Sequence, residues 1–174
     1  MQLSLHADYA LRVLIYLGAH PGETISTRKI SSAYGISRNH LVRVVQTLGE
    51  CAYVQVTPGR KGGIRLAKDP GDIRLGEVVR RAEPNLRLVE CFDEETNTCP
   101  IIAVCRLRAY LREALRAFLT ELDQHTLADL LAKNWRNKSL PVFFQLGPIA
   151  TQGSAAAGRR KRGRATQHRA KPHR

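Results

Sequence analysis

Three cysteines, Cys91, Cys99 and Cys105, stand in one short stretch, separated by seven and then five residues. Deprotonated thiols are charged, polarisable ligands that favour soft metals. Three on one loop can grip a metal or an iron–sulfur cluster and leave one coordination position open. A tetrahedral iron or zinc site takes four ligands. The remaining thiol, Cys51, sits far upstream at the end of a predicted helix and reads as a small core residue. The trio contains no C-x-x-C pair, which weighs against a plain zinc knuckle, and the spacing alone does not name the metal. An enzyme is a poor reading: no base lies near the trio, and His40 and His125 fall on predicted helices remote in sequence.

The 174-residue chain has room for one domain, or a small domain with an added pairing element. Its net charge is +13, and the last 24 residues, 151–174, hold eight of the 28 Lys/Arg and no Asp/Glu. The rest balances 20 basic against 15 acidic residues. Such a balance points to a polyanionic partner, most often nucleic acid. The tail reads as a solvated appendage that adds sequence-independent phosphate affinity. No signal segment and no apolar run approaching roughly 18 residues is visible. The expected location is therefore cytoplasmic, with no membrane contact. Thiols stay reduced there, so clustered cysteines read as metal ligands or redox groups rather than disulfides.

The elements that would position this loop follow from periodicity. Leu3, Leu5, Tyr9, Val13, Tyr16 and Leu17 predict an amphipathic first helix that His20-Pro21-Gly22 ends. Ser26 caps a second helix through Ile30 and Ala33. Gly35 and Ser37 then supply a turn and the next cap, and a third helix runs from Arg38 to about Glu50 with Leu41, Val44, Val45 and Leu48 inward. Helix, short glycine turn, helix is the helix-turn-helix arrangement. Tyr53–Thr57 and Ile64–Leu66 alternate as strands around a Pro58–Gly63 turn, which makes a wing. Ile73 to Ala82 looks helical, Glu90 to Cys105 loop-like. Leu107, Leu111, Leu115, Phe118 and Leu122 form an apolar stripe, widened by Tyr110, Ala114 and Leu119, that predicts a long helix contacting a second subunit. Thr126 to Asp129 resembles a capping box. Leu140 to Phe144 could dock locally. The expected fold is mainly α with a small β-ribbon: a winged helix-turn-helix over residues 1–83, a cluster loop and long dimerisation helix over 84–133, and a poorly ordered basic extension over 134–174.

On the third helix Ser37, Arg38, Asn39, His40, Arg43 and Gln46 face outward. Arg, Asn and Gln are the side chains that pair with guanine and adenine edges in the major groove. Base contacts concentrate at the start of a recognition helix. Arg60, Lys61 and Arg65 add charge on the wing, where Gly62 and Gly63 would admit phosphate or the minor groove.

Several runs resemble NsrR-type repressors, the nitric-oxide-sensing branch of the Rrf2 superfamily that also holds IscR- and RirA-type regulators. They are Met1-Gln-Leu-Ser-Leu-His-Ala-Asp8-Tyr9-Ala-Leu-Arg12, Tyr34-Gly-Ile-Ser-Arg-Asn-His-Leu41, Arg60-Lys-Gly-Gly-Ile-Arg-Leu66, Phe118-Leu-Thr-Glu-Leu-Asp123 and Thr126-Leu-Ala-Asp-Leu130. The resemblance spans about residues 1 to 133. It implies a homodimeric repressor that binds an inverted-repeat DNA operator. It also implies a [2Fe-2S] or [4Fe-4S] cluster held by Cys91, Cys99 and Cys105, with Asp8 of the partner subunit as fourth ligand. An oxygen ligand holds iron less firmly than a thiolate, so nitric oxide would attack there, sever the link between subunits and release the operator. An IscR-type chain would carry a histidine three residues after the last cysteine, where this one has Arg108. The seven-residue gap between Cys91 and Cys99 resembles RirA, whereas Ser37-Arg-Asn-His40 and Thr126-Leu-Ala-Asp-Leu130 favour NsrR. An iron-responsive regulator and a structural-zinc DNA-binding protein without sensing are the alternatives.

Overall fold

The computed structural model describes residues 2–59 and 62–131. The chain forms α1 (Leu5–Gly18), α2 (Thr27–Tyr34), α3 (Arg38–Glu50), β1 (Val54–Thr57), β2 (Gly63–Leu66), α4 (Leu75–Ala82), α5 (Arg106–Asp123) and α6 (Leu127–Leu130), with short 3-10 turns at Pro70–Asp72 and Glu90–Phe92. It is the mainly helical, winged helix-turn-helix fold expected from the periodicity. No helix among the described residues is long and apolar enough to cross a membrane.

Local chemistry sets each helix start. Ser4, Ser26 and Ser37 cap α1, α2 and α3, each hydroxyl accepting from a backbone N–H three residues on. Gly35 takes the left-handed conformation (φ 66°) that closes α2 and turns the chain into α3. Thr126 and Asp129 form the expected capping box of α6, and the Thr126 backbone N–H holds the Asp129 carboxyl below its usual range.

The core is built of aliphatic side chains with Tyr16 and Tyr53; among the described residues no charged side chain is buried. Its centre is α1, whose Ala7, Ala10, Val13, Leu14 and Leu17 pack with Leu41, Val44, Val45 and Leu48 of α3 and with residues of α4, α6 and β2. Each fully buried Leu or Val contributes about 1.5–3 kcal/mol. The first turn departs from expectation: Leu5 is exposed, because it lies two residues before the buried Ala7 and so on the opposite side of α1. Cys51 is half-buried against the core and ends α3.

The wing is an antiparallel pair with Val56 opposite Ile64 and Gln55 opposite Arg65. Ile25 bridges to Ile64 through two 2.8 Å backbone bonds. This settles why residue 63 is glycine: a Cβ there would sit 2.6 Å from the Ile25 carbonyl oxygen. Gly63 is thus required by an internal contact, where the sequence suggested an approach to DNA. Ile73, expected in a helix, instead accepts from the Leu127 backbone N–H and helps fasten residues 73–75 to 125–127.

The long helix α5 has no buried residue. Its C-terminal end is held to α4: Arg80 Nη1 donates to Asp123 Oδ1 at 2.8 Å, Arg80 Nη2 to Oδ2, and Arg74 to the Asp123 carbonyl oxygen at 2.7 Å. The Arg80 hydrogen bonds hold the Asp123 carboxyl below its ordinary value. A carboxyl depressed by folding stabilises fully above the unfolded-state value, 3.8, and the effect fades as pH falls through the lower folded-state value. The melting-temperature difference between wild type and Asp123→Asn should therefore be constant near neutrality and shrink in acid. A difference unchanged down to roughly pH 2 would remove this ion pair from the α4–α5 docking.

Candidate nucleic-acid interface and cysteine loop

Side chains of α3 divide between two sides of the helix. On one side Arg38 and Gln46 line an open groove of about 920 Å³ between α3, the start of α2 and the wing. Ser26, Thr27 and Arg28 of the α2 entry, Val42 of α3 and Val56 of β1 complete its walls. On the other side His40 and Arg43 line a cleft of about 230 Å³ with Leu5, His6 and Tyr9 of α1. The Tyr9 and His40 rings lie 6.0 Å apart, and His6 Nε2 is 3.0 Å from Thr47 Oγ1. Ser37 is spent on capping, and Asn39 is exposed. Gln46 donates to Glu50 at 3.0 Å. Arg65 bonds Gln55 at 2.8 and 3.0 Å on the ribbon face opposite Val56 and Ile64, away from the groove. Arg60 and Lys61 lie outside the described residues.

Arg28, Val42 and Val56 are groove residues that sequence reasoning passed over. Arg28 had a signal, a basic residue two positions after the Ser26 cap. Val42 and Val56 had none, because an outward apolar residue reads as misplaced core.

Asp8 sits in the first turn of α1 and pairs with Arg12, Oδ2 to Nη2 at 2.7 Å and Oδ1 to Nε at 3.0 Å. The Arg12 guanidinium lies about 6 Å from both the Tyr9 and Tyr34 rings, and the Tyr34 hydroxyl donates to the Arg12 carbonyl oxygen at 3.1 Å. Burial pushes the Tyr34 phenol well above its usual range, so it stays neutral. Both members of the Asp8–Arg12 pair keep more than a third of their side-chain surface in water. Such an exposed i,i+4 pair is worth about 0.3–0.5 kcal/mol, too little to hold Asp8 against a stronger ligand role.

Cys91 lies in the 3-10 turn Glu90–Phe92, Cys99 donates its N–H to Asn97 Oδ1 at 3.2 Å, and Cys105 precedes α5. All are half-buried and free. Glu90 and Thr98 each directly precede a cysteine, and Glu90 Oε1 accepts from the Thr98 hydroxyl at 2.6 Å and its N–H at 2.7 Å. Those bonds hold the Glu90 carboxyl below its usual range and tie the Cys91 and Cys99 backbones together. Asp93 braces the same loop, accepting from Thr96 at 2.7 Å and pairing with Arg87. Arg108, on the first turn of α5, is 19% exposed, donates to Glu94 at 2.8 Å, and has a buried Nε with no partner.

Three unbridged thiols are donors of the kind an iron–sulfur cluster takes, and Arg108 on the adjoining helical turn keeps a buried guanidinium N–H without a partner. The arrangement in a single chain is not closed, since no three His, Cys, Asp or Glu residues among those described gather into a metal-holding group. Glu90→Ala should open the Glu90–Thr98 clasp and speed hydrogen exchange at the Thr98 amide by about tenfold, because the amide loses its carboxylate acceptor. Unchanged exchange would mean that the loop is held without it.

The Rrf2 family model, described as "Iron-dependent Transcriptional regulator", matches residues 3–133. The chain is 49% identical over 149 residues to the HTH-type transcriptional regulator NsrR of Halalkalibacterium halodurans, covering 85% of this chain and 100% of that protein. It is 50% identical over 132 residues to the regulator of the same name from Bacillus subtilis, covering 75% and 90%. Among solved structures it resembles CymR, the global cysteine regulator of B. subtilis, at 27% identity and TM-score 0.57 over 75% of this chain and 95% of that one. T. potens IscR shares the fold, with TM-score 0.63 at 22% identity over 79% and 91%. These relatives are named as regulators and not as enzymes. The chain is accordingly a transcriptional regulator, and it belongs to the Rrf2 family.

Proposed function

We propose that this chain is a homodimeric, iron–sulfur-containing repressor of the NsrR kind, which releases its inverted-repeat operator when nitric oxide reaches the cluster. The observation that carries this reading is the loop of three free thiols, Cys91, Cys99 and Cys105, in a chain about half identical to regulators named NsrR. Residues 1–83 read DNA, residues 84–133 sense and pair, and Arg38, Asn39, Arg43 and Gln46 supply the base- and phosphate-seeking groups.

Cys91, Cys99 and Cys105 of one subunit would hold the cluster, with Asp8 of the partner subunit as the weaker oxygen ligand. When bound, the cluster supplies iron that takes up nitric oxide. The chain's own residues do the rest. Asp8, when it is not a ligand, pairs with Arg12, whose guanidinium lies near the Tyr9 and Tyr34 rings. Tyr9 touches His40 on α3, and Tyr34 ends α2. A change at Asp8 thereby reaches both helices of the DNA reader. Two recognition helices must match successive half-sites about one DNA turn apart, so a small shift between subunits suffices to lose the operator.

The exposed face of α5 supports the dimer: none of its 18 residues is buried, and Leu107, Tyr110, Ile101 and Val104 are exposed on it or just before it, where a second copy would take them out of water. The seven-residue gap between Cys91 and Cys99 and the family's "Iron-dependent" description support a second reading, in which iron supply is the signal.

Anaerobically purified protein should be brown, bind its selected operator tightly, and lose at least tenfold in affinity on nitric oxide addition. Equal binding with and without cluster would contradict the sensor role, and loss on iron chelation alone would favour iron sensing. Asp8→Ala should keep the fold but lose the cluster faster under mild chelation. An unchanged rate would exclude Asp8 as a ligand.

A further inference from the structure

Arg38, Val42 and Gln46 are spaced by four residues and therefore share one stripe of α3. All three line the groove beneath the wing. The other apolar side chains of α3, Leu41, Val44, Val45 and Leu48, are each at most 6% exposed, whereas Val42 is 57% exposed. A lone exposed valine on a flat surface means nothing. Val42 instead stands in a concave wall between two side chains of base-reading type, facing a groove that Arg28 makes more positive and that Val56, 52% exposed, lines from the wing.

The major groove presents one apolar group, the C5-methyl of thymine. Water is a poor partner for Val42 and that methyl is a good one. We infer that Val42 reads a thymine methyl in the operator, so that α3 specifies sequence by an apolar contact set between Arg38 and Gln46. This rests on the reading above that α3 enters the major groove, and it assigns a specificity role to a residue with no polar group.

The test removes the methyl alone. Full-length protein selects its operator from a random duplex pool under anaerobic conditions. Each thymine of the enriched sequence is then replaced in turn by deoxyuridine. One position per half-site should weaken wild-type binding about fourfold, the worth of one buried methyl group. Val42→Ala should bind the thymine operator as weakly as wild type binds the uracil one, with no further loss on replacement. Val42→Thr, which keeps one γ-methyl, should retain part of the discrimination. The inference is overturned if no thymine-to-uracil change matters, or if Val42→Ala weakens both duplexes and leaves the discrimination intact. Either outcome leaves operator reading by α3 in place. Failure to enrich any sequence would overturn that reading, and this inference with it.

Discussion

The packing of α1 beneath the helix-turn-helix is the contact on which the rest depends. One helix buries Ala7, Ala10, Val13, Leu14 and Leu17 against α3, α4, α6 and the wing, and carries Asp8 and Arg12 on its outer surface. Interiors packed this densely transmit displacement instead of absorbing it. The DNA reader therefore cannot be repositioned without α1, and α1 cannot move without the reader. The surface contacts repeat this coupling outside the core: Tyr9 against His40, His6 against Thr47, and the Tyr34 hydroxyl on the Arg12 carbonyl. In the proposed sensor these are the groups that turn a ligand change at Asp8 into a different angle of α3.

A second constraint is the unequal anchoring of α5. Its C-terminal end is fixed to α4 by Arg80, Arg74 and the close approach that Gly76 permits; a Cβ there would lie 2.9 Å from the Leu119 carbonyl oxygen. Its N-terminal end adjoins the cysteine loop and meets no core, with Val104 just before it 81% exposed. A lever held at one end and apolar at the other suits a surface completed by a second subunit. The thiol trio would then sit at the free end of that lever, close to where two chains meet.

Much of this was legible in the chain itself. The serines at 4, 26 and 37, the Gly35 turn and the inward set of α3 announce the helix-turn-helix, because capping and 3.6-residue periodicity are local properties. Residues fixed by distant partners were not legible. Leu5 fits the apolar pattern of α1 yet lies off the packed face. Gly63 invites a DNA contact yet answers to Ile25. Arg65, counted with the wing's phosphate-seeking charges, turns to Gln55 on the far face of the ribbon. The cysteine loop shows the same limit: the thiols and their spacing are plain, whereas the Glu90–Thr98 clasp that joins the residues beside Cys91 and Cys99 gave no local sign. Leu140 to Phe144 and the basic tail of 151–174 lie outside the described residues and beyond the matched family region.

The central claim is that three thiols of each subunit hold an iron–sulfur cluster across a pair of chains, and native mass spectrometry of strictly anaerobic full-length protein tests it most directly. The account expects a dimer carrying iron and sulfide on each subunit, with the added mass lost when any one of Cys91, Cys99 or Cys105 is replaced by alanine. A metal-free chain, or one holding only zinc, that still binds its operator would contradict it.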